Sequence, residues 1–257
     1  MKTILKSSCP PHLACYTAQF PDATWESMRN DTAHGGKQAY TEAREHLIQD
    51  QKSLCAYCEC KLHKETPQRI RVEHFHPKSD TSSVQNWHLD WQNLLATCTG
   101  GEREGDVFPL PENLSCDACK KDTIHDGDIL NPLRLPPFPA AFCYNMGTGE
   151  LVPNPDFCSE HPSLPYNTLA NTYELLLNTI RVLNLNCDRL CQARLKVSRY
   201  LEHQKKDFRE RKLKPSAALR SLPQRYFGGQ WPAYFTVLRH CLQPYAEEYL
   251  HSIAYQG

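Results

Sequence analysis

The chain has 257 residues, and 29 Lys+Arg are matched by 29 Asp+Glu, so its formal charge is zero. That length can bury one substantial core, and the balance leaves no global basic signature for nucleic acid. No apolar run reaches the length of a membrane span, and "MKTILKSSCPPHLACY" is too weakly apolar for a secretory signal, so the expectation is a cytoplasmic protein.

In chain order, residues 1–53 form an N-terminal helical segment. It ends in "GGKQAYTEAREHLIQDQKSL", where Tyr40, Ala43, Leu47 and Ile48 share one face at helical spacing. Residues 54–130 are rich in Cys, His, Asp and Gly and nearly aperiodic, so something besides an apolar core must hold them. Residues 131–257 begin with a proline-marked loop and a short hairpin around residues 147–149, and then turn helical. Tyr173, Leu176, Leu177, Ile180 and Leu183 form one apolar stripe. After "NLNCD", where Asn186 or Asp188 can cap, Leu190, Val197, Tyr200 and Leu201 give the next helix its apolar side. A last helix carries Tyr234, Leu238, Leu242, Tyr245 and Tyr249, with Pro232 suited to its first turn. Between residues 194 and 225, eleven Lys/Arg stand against three Asp/Glu. This stretch is either a solvated helix face or a phosphate-facing patch.

Thirteen cysteines are many for a chain without an export signal, and in a reducing compartment close-spaced cysteines point to metal. "CAYC" sets Cys55 and Cys58 at C-x2-C spacing, a turn that presents two thiolates to one tetrahedral ion. The second pair can be drawn as Cys98 with Cys116 or as Cys116 with Cys119. Structural zinc contributes roughly 10–16 kcal/mol in such sites, enough to keep an aperiodic segment folded. The scattered Cys9, Cys15, Cys143, Cys158, Cys187, Cys191 and Cys241 read as small buried hydrophobes.

Between the half-sites lie residues that a zinc ribbon does not need. In "RIRVEHFHPKS" a strand-like alternation runs into Glu73 and His74. Glu73 and Asp117 are hard oxygen donors suited to Mg²⁺, His74 can take a proton from water, and Asn93 carries an amide able to fix the loop around it. Regular strand geometry would send Glu73 and His74 to opposite faces, so a shared site requires the chain to leave the pleat there. Pro77 helps to end the strand. His76 is a rival base, and His63, His88 and His125 are candidates to replace a zinc cysteine.

The order "CAYC…VEHFHPKS…WQNLLATC…CDACK" resembles the HNH endonuclease pattern. The matching positions are Cys55, Cys58, Glu73, His74, Pro77, Ser79, Asn93, Leu94, Cys98, Cys116, Asp117 and Lys120. It is similar in particular to the HNH subunit, PtuB, of Septu-type anti-phage systems, including retron-attached ones. "DILNP", "GELVP" and "NTIRVLNLN" fall in that family's order, and the likeness covers residues from about 40 to 200. Asp117 stands where Asn or His is commoner, and 17 residues separate Cys98 from Cys116 where a few are usual.

The resemblance implies an α+β, predominantly helical fold around a zinc-stabilised ββα-metal core. Structural Zn²⁺ would sit on Cys55, Cys58, Cys98 and Cys116, leaving Cys119 spare. Catalytic Mg²⁺ or Mn²⁺ would sit on Glu73 and Asp117. His74 is then the base, Asn93 the loop positioner, and Lys120, with Lys78, a phosphate contact. The products would carry 5′-phosphate ends. The implied partners are a nucleic-acid substrate, an ABC/SMC-type ATPase and, in some systems, a retron reverse transcriptase with its DNA–RNA hybrid. The competing readings are a non-catalytic zinc module that binds nucleic acid or protein, and a metallohydrolase of small substrates.

Overall fold

The computed structural model describes residues 1–210 and 215–257. Part of the expected basic stretch, residues 211–214, therefore lies outside the described residues. The protein is α+β. Its N-terminal part contributes α1 (Pro11–Gln19), α2 (Trp25–Asn30) and α3 (Gly36–Asp50), followed by β1 (Ile70–His74), β2 (Leu94–Cys98) and the one-turn α4 (Asp117–Lys120). A second hairpin, β3 (Phe142–Tyr144) and β4 (Leu151–Pro153), leads to α5 (Pro155–Glu160) and α6 (Thr172–Val182). The chain ends in α7 (Asp188–Glu210), α8 (Pro215–Phe227), α9 (Phe235–Cys241) and α10 (Tyr245–Ser252). Among the described residues no helix is long and apolar enough to cross a membrane.

Local chemistry explains the boundaries. Thr24 caps α2 by accepting from the Ser27 N–H at 3.0 Å, and Asn171 caps α6 by accepting from the Glu174 N–H at 2.9 Å. On α3 the buried face includes Ala43, Leu47 and Ile48, as its spacing predicts. On α6 the buried face is Thr172, Leu175, Leu176 and Thr179, while Tyr173 and Leu177 are exposed. The expected stripe is rotated because two threonines bury with it, the Thr179 hydroxyl donating to Leu175 O at 2.7 Å. On α7, Leu190 and Leu201 are buried but Tyr200 is exposed. Arg194 takes up the inner face instead, at 1 % exposure, donating to Leu185 O at 2.7 Å and Gly149 O at 3.3 Å. It is therefore not part of any phosphate-facing surface. The single last helix expected from the tyrosine and leucine spacing is two helices, because Pro244 lacks an N–H and disfavours helical backbone before it. Pro232 lies ahead of both.

β1 and β2 pair antiparallel with Ile70 opposite Cys98, Glu73 opposite Leu95 and His74 opposite Leu94. The hairpin packs on α3, and Leu47, Tyr57, Leu89, Leu94 and Leu95 belong to one continuous buried cluster. The aperiodic segment is thus held by apolar burial as well as by its cysteines. A second cluster, with Leu201, Leu222, Phe227, Trp231, Phe235 and Leu250, holds the C-terminal helices together.

Candidate active site and metal centre

Four cysteines singled out in the sequence meet. Cys55 Sγ lies 3.9 Å from Cys116 Sγ, Cys58 Sγ 3.7 Å from Cys98 Sγ, and Cys98 Sγ 3.9 Å from Cys116 Sγ. A tetrahedral ion with metal–sulfur bonds of about 2.3 Å sets its ligand sulfurs about 3.8 Å apart, so these edges fit Zn²⁺. The surroundings suit thiolates. Cys98 N–H donates to Cys55 Sγ and Gly100 N–H to Cys98 Sγ, each at 3.4 Å, and the Ser115 hydroxyl donates to Cys116 Sγ at 3.6 Å.

The turn is closed by Cys55 N–H on Cys60 O at 2.9 Å, with Glu59 in the left-handed region at φ 63°. Glu59 is buried and accepts from the Thr236 N–H and hydroxyl at 2.8 and 2.7 Å, which ties the turn to α9. Gly100 is required by close approach. A Cβ there would lie 2.3 Å from Ser115 O, and the contact it permits brings Cys116 back beside Cys98.

A fifth cysteine joins them. The sulfurs that all lie within 4.8 Å of one another are those of Cys55, Cys58, Cys60 and Cys98, a set in which Cys60 stands in the place expected for Cys116. Sequence reasoning passed over it, although "CAYCEC" shows it two residues beyond Cys58. Cys119 turns away and donates to Leu114 O at 3.1 Å.

Beside this cluster the end of β1 meets α4. Glu73 is 5 % exposed, and its Oε1 lies 3.0 Å from Lys120 Nζ and accepts from the Tyr57 hydroxyl at 3.2 Å. Asp117 lies near enough for its charge to act on Glu73. Burial, then the neighbouring Asp117, push the Glu73 carboxyl well above the ordinary range, with Lys120 acting against them. Two hard-oxygen donors held together against their own repulsion suit a divalent cation, which would relieve it. Arg71 Nη1 lies 3.4 Å from Asp117 Oδ2, and Arg71 also pairs with Glu102.

His74 is 8 % exposed. Its Nε2 lies 3.1 Å from His88 O, and because a carbonyl only accepts, Nε2 carries the proton and Nδ1 keeps its lone pair. Burial lowers the His74 pKa to about 4, so the ring is neutral at pH 7. The Trp25 ring meets it edge-on at 5.2 Å, and Trp25 N–H donates to His88 Nδ1 at 3.1 Å.

Pairing continues through His74, so the chain does not leave the pleat at Glu73–His74 as expected; it does so at Phe75. The side-chain partners of Glu73 and of His74 accordingly do not overlap. The two residues are joined across the strand end by Lys120, which donates to His74 O at 3.2 Å.

Asn93 fixes the loop that follows. Its Oδ1 accepts from His76 N–H at 2.7 Å, and its Nδ2 donates to His76 O at 2.9 Å and Trp87 O at 3.0 Å. Lys6, which the sequence did not single out, donates to Trp91 O and to Leu94 O, the latter at 2.6 Å, and so straps the turn that carries Asn93.

No family model matches the sequence. Over 224 residues the chain is 42 % identical to an Escherichia coli protein whose name assigns it to retron Ec83 as an HNH endonuclease, covering 83 % of this chain and 84 % of that one. The chain belongs to this HNH endonuclease family. It is also 35 % identical over 75 residues to the Septu protein PtuB of Bacillus thuringiensis, a match spanning 29 % of this chain and 26 % of PtuB.

In this HNH endonuclease Lys120 is 1 % exposed and paired with Glu73, so it does not face solvent where a phosphate would lie, as the motif alone implied. Lys78 is at the surface and pairs with Glu26. His76 has Nε2 2.8 Å from Asp80 and Nδ1 on Asp126, so both of its ring nitrogens are already engaged by carboxylates. His88 and His125 are engaged by Trp25 and Asp128, away from the thiols.

Proposed function

We propose that this endonuclease hydrolyses phosphodiester bonds with a divalent ion, Mg²⁺ or Mn²⁺, held by Glu73 and Asp117, while Zn²⁺ on Cys55, Cys58, Cys98 and Cys116 fixes the frame. The observation that carries the reading is two carboxylates near enough to act on each other, one from the hairpin and one from α4, at the strand end whose next residue is a buried, neutral imidazole. When bound, an ion there supplies Lewis-acid stabilisation of charge developing on the phosphate and the leaving oxygen.

The substrate phosphate lies across the end of β1, where groups on both faces of the strand reach it. His74 Nδ1 takes the proton of the attacking water, and His88 O holds the ring in the tautomer that allows this. Asn93 keeps the Phe75–His76 turn from moving, and Lys120 holds Glu73 and the His74 carbonyl in register. Cys116 and Asp117 are adjacent, so the zinc frame places the second carboxylate directly.

The names of the relatives support a place in retron- or Septu-type anti-phage defence. We place the chain there as the cytoplasmic effector subunit, working with an ABC/SMC-like ATPase and, in a retron setting, with the reverse transcriptase and its DNA–RNA hybrid.

The test is to incubate the purified chain, alone and with its ATPase, with plasmid DNA and total RNA in the presence and absence of Mg²⁺. His74→Ala should remove cleavage while zinc content and thermal unfolding stay at wild-type values. Full cleavage by that variant sinks the assignment. Bound zinc with no Mg²⁺-dependent cleavage of either polymer would leave only an inert zinc module.

A further inference from the structure

A cavity of 330 Å³ opens beside the turn that follows His74. Phe75, Trp87 and Tyr166 supply aromatic wall, and Gln92, Asp126 and Arg134 supply polar wall. His76 and Asn93, the two residues locked together behind the catalytic histidine, also line it. Because only one residue separates His74 from His76, the cavity lies within about 7 Å of chain from the proposed base.

Two residues of that lining each carry a buried polar atom with no hydrogen-bond partner of ordinary geometry: Trp87 at Nε1 and Tyr166 at its hydroxyl, which has the Asn131 backbone beside it. Buried orphan donors are rare because leaving them unpaired is costly. Both are donors at neutral pH. The indole nitrogen can only donate, and burial pushes the Tyr166 phenol up to about 12, so it keeps its proton. Gln92 is exposed at the rim. Trp87 is braced from behind by the His76 ring, stacked at 4.0 Å.

The complementary ligand is flat, aromatic and rich in acceptors. An anion alone is disfavoured by Asp126 and Asp90 in the same lining, and an aliphatic group would leave both donors unpaired. Nucleobases have that chemistry: every base carries ring-nitrogen or carbonyl acceptors and a face that stacks on aromatic side chains.

We propose that this cavity receives one unpaired nucleobase of the substrate, adjacent to the scissile phosphate, and thereby selects where the strand is cut. The proposal deepens the nuclease reading and rests on it for the source of the base. A base held against Trp87 and Tyr166 also presses on the His76–Asn93 clamp, so a filled pocket and a correctly held His74 go together.

The test uses the full chain in two arms. In the first, AMP, GMP, CMP and UMP are titrated while tryptophan emission is followed, and Trp87→Phe identifies the signal from the pocket. In the second, His74→Ala protein is bound to single-stranded DNA and RNA oligonucleotides in which one abasic position is moved along the strand. At least one nucleotide should quench saturably, with the change lost in Trp87→Phe. One abasic position should weaken oligonucleotide binding about tenfold, and Tyr166→Phe or the rim variant Gln92→Ala should weaken the intact oligonucleotide by a similar factor.

Binding that ignores the abasic position, with no saturable quenching by any of the four nucleotides, overturns the pocket even if Mg²⁺-dependent cleavage is robust. Base-dependent binding by a chain that cleaves nothing upholds the pocket and sinks the nuclease reading instead.

Discussion

Replacing Lys120 by methionine removes the ammonium that lies 3.0 Å from Glu73 Oε1 while keeping most of the side-chain volume. Both partners are almost wholly buried, so no water replaces the lost charge. Breaking one side of a buried pair costs about 3–5 kcal/mol, a large part of the roughly 5–15 kcal/mol that holds a typical domain folded. Glu73 is already pushed upward by burial and by Asp117, so losing Lys120 pushes its carboxyl further up and weakens it as a metal ligand. Lys120→Met should therefore lower stability in urea unfolding by that amount and abolish cleavage. Removing the carboxylate as well, in Lys120→Met with Glu73→Gln, should restore most of the stability but none of the activity. The cycle isolates the pair because each single change removes the same contact. A cost below about 1 kcal/mol that is equal in both backgrounds, with a raised KM alone, would refute the reasoning and return Lys120 to the role of phosphate contact.

The fourth zinc ligand is decided by metal analysis: Cys116→Ser should lose zinc and cleavage together, whereas Cys60→Ser should keep wild-type zinc, and the reverse pattern would hand the position to Cys60. Asn93→Ala deletes three side-chain hydrogen bonds to buried backbone and should cost about 2–4 kcal/mol while raising amide exchange at His76; unaltered exchange there would exclude the clamp. Burial lowers the Lys6 pKa to about 7, below its value of 10.5 in the unfolded chain, so between these values the unfolded state holds more protons and stability rises with pH. Between pH 7 and 10 the wild type should gain up to about 4 kcal/mol over Lys6→Met, and a constant difference in unfolding free energy would show that the ammonium keeps its proton.

What could be read in advance followed the strength of the local signal. The C-x2-C turn, the strand ending at Glu73–His74 and the strand beginning at Leu94 all have short-range signatures, and each stands where its spacing put it. Asp117 on a helix after Cys116 was legible for the same reason. Contacts across long sequence separations were not. Lys6 and Trp25 reach the site through tertiary packing, and nothing around them in the sequence marks it, while Tyr57 sits inside the marked C-x2-C turn but gives no sign there of its contact with Glu73. Lys120 shows the opposite failure: its position in the motif was right, but burial turned an apparent surface cation into a counter-ion. Helix faces drifted wherever polar residues were packed inward, as with Thr172, Thr179 and Arg194, because counting apolar residues alone cannot see a buried group that supplies its own hydrogen bonds.

The long segment between Cys98 and Cys116 starts and finishes at sulfurs 3.9 Å apart. Its two ends are thus pinned together, at the sulfurs and at the Gly100–Ser115 contact just inside them, and what lies between those contacts does not set the distance from strand to helix. The span can therefore be shortened, or replaced by a foreign recognition module, with its entropic cost rising only slowly with length and the carboxylate at its exit held still. A nuclease built this way can change what it docks on without retuning how it cuts.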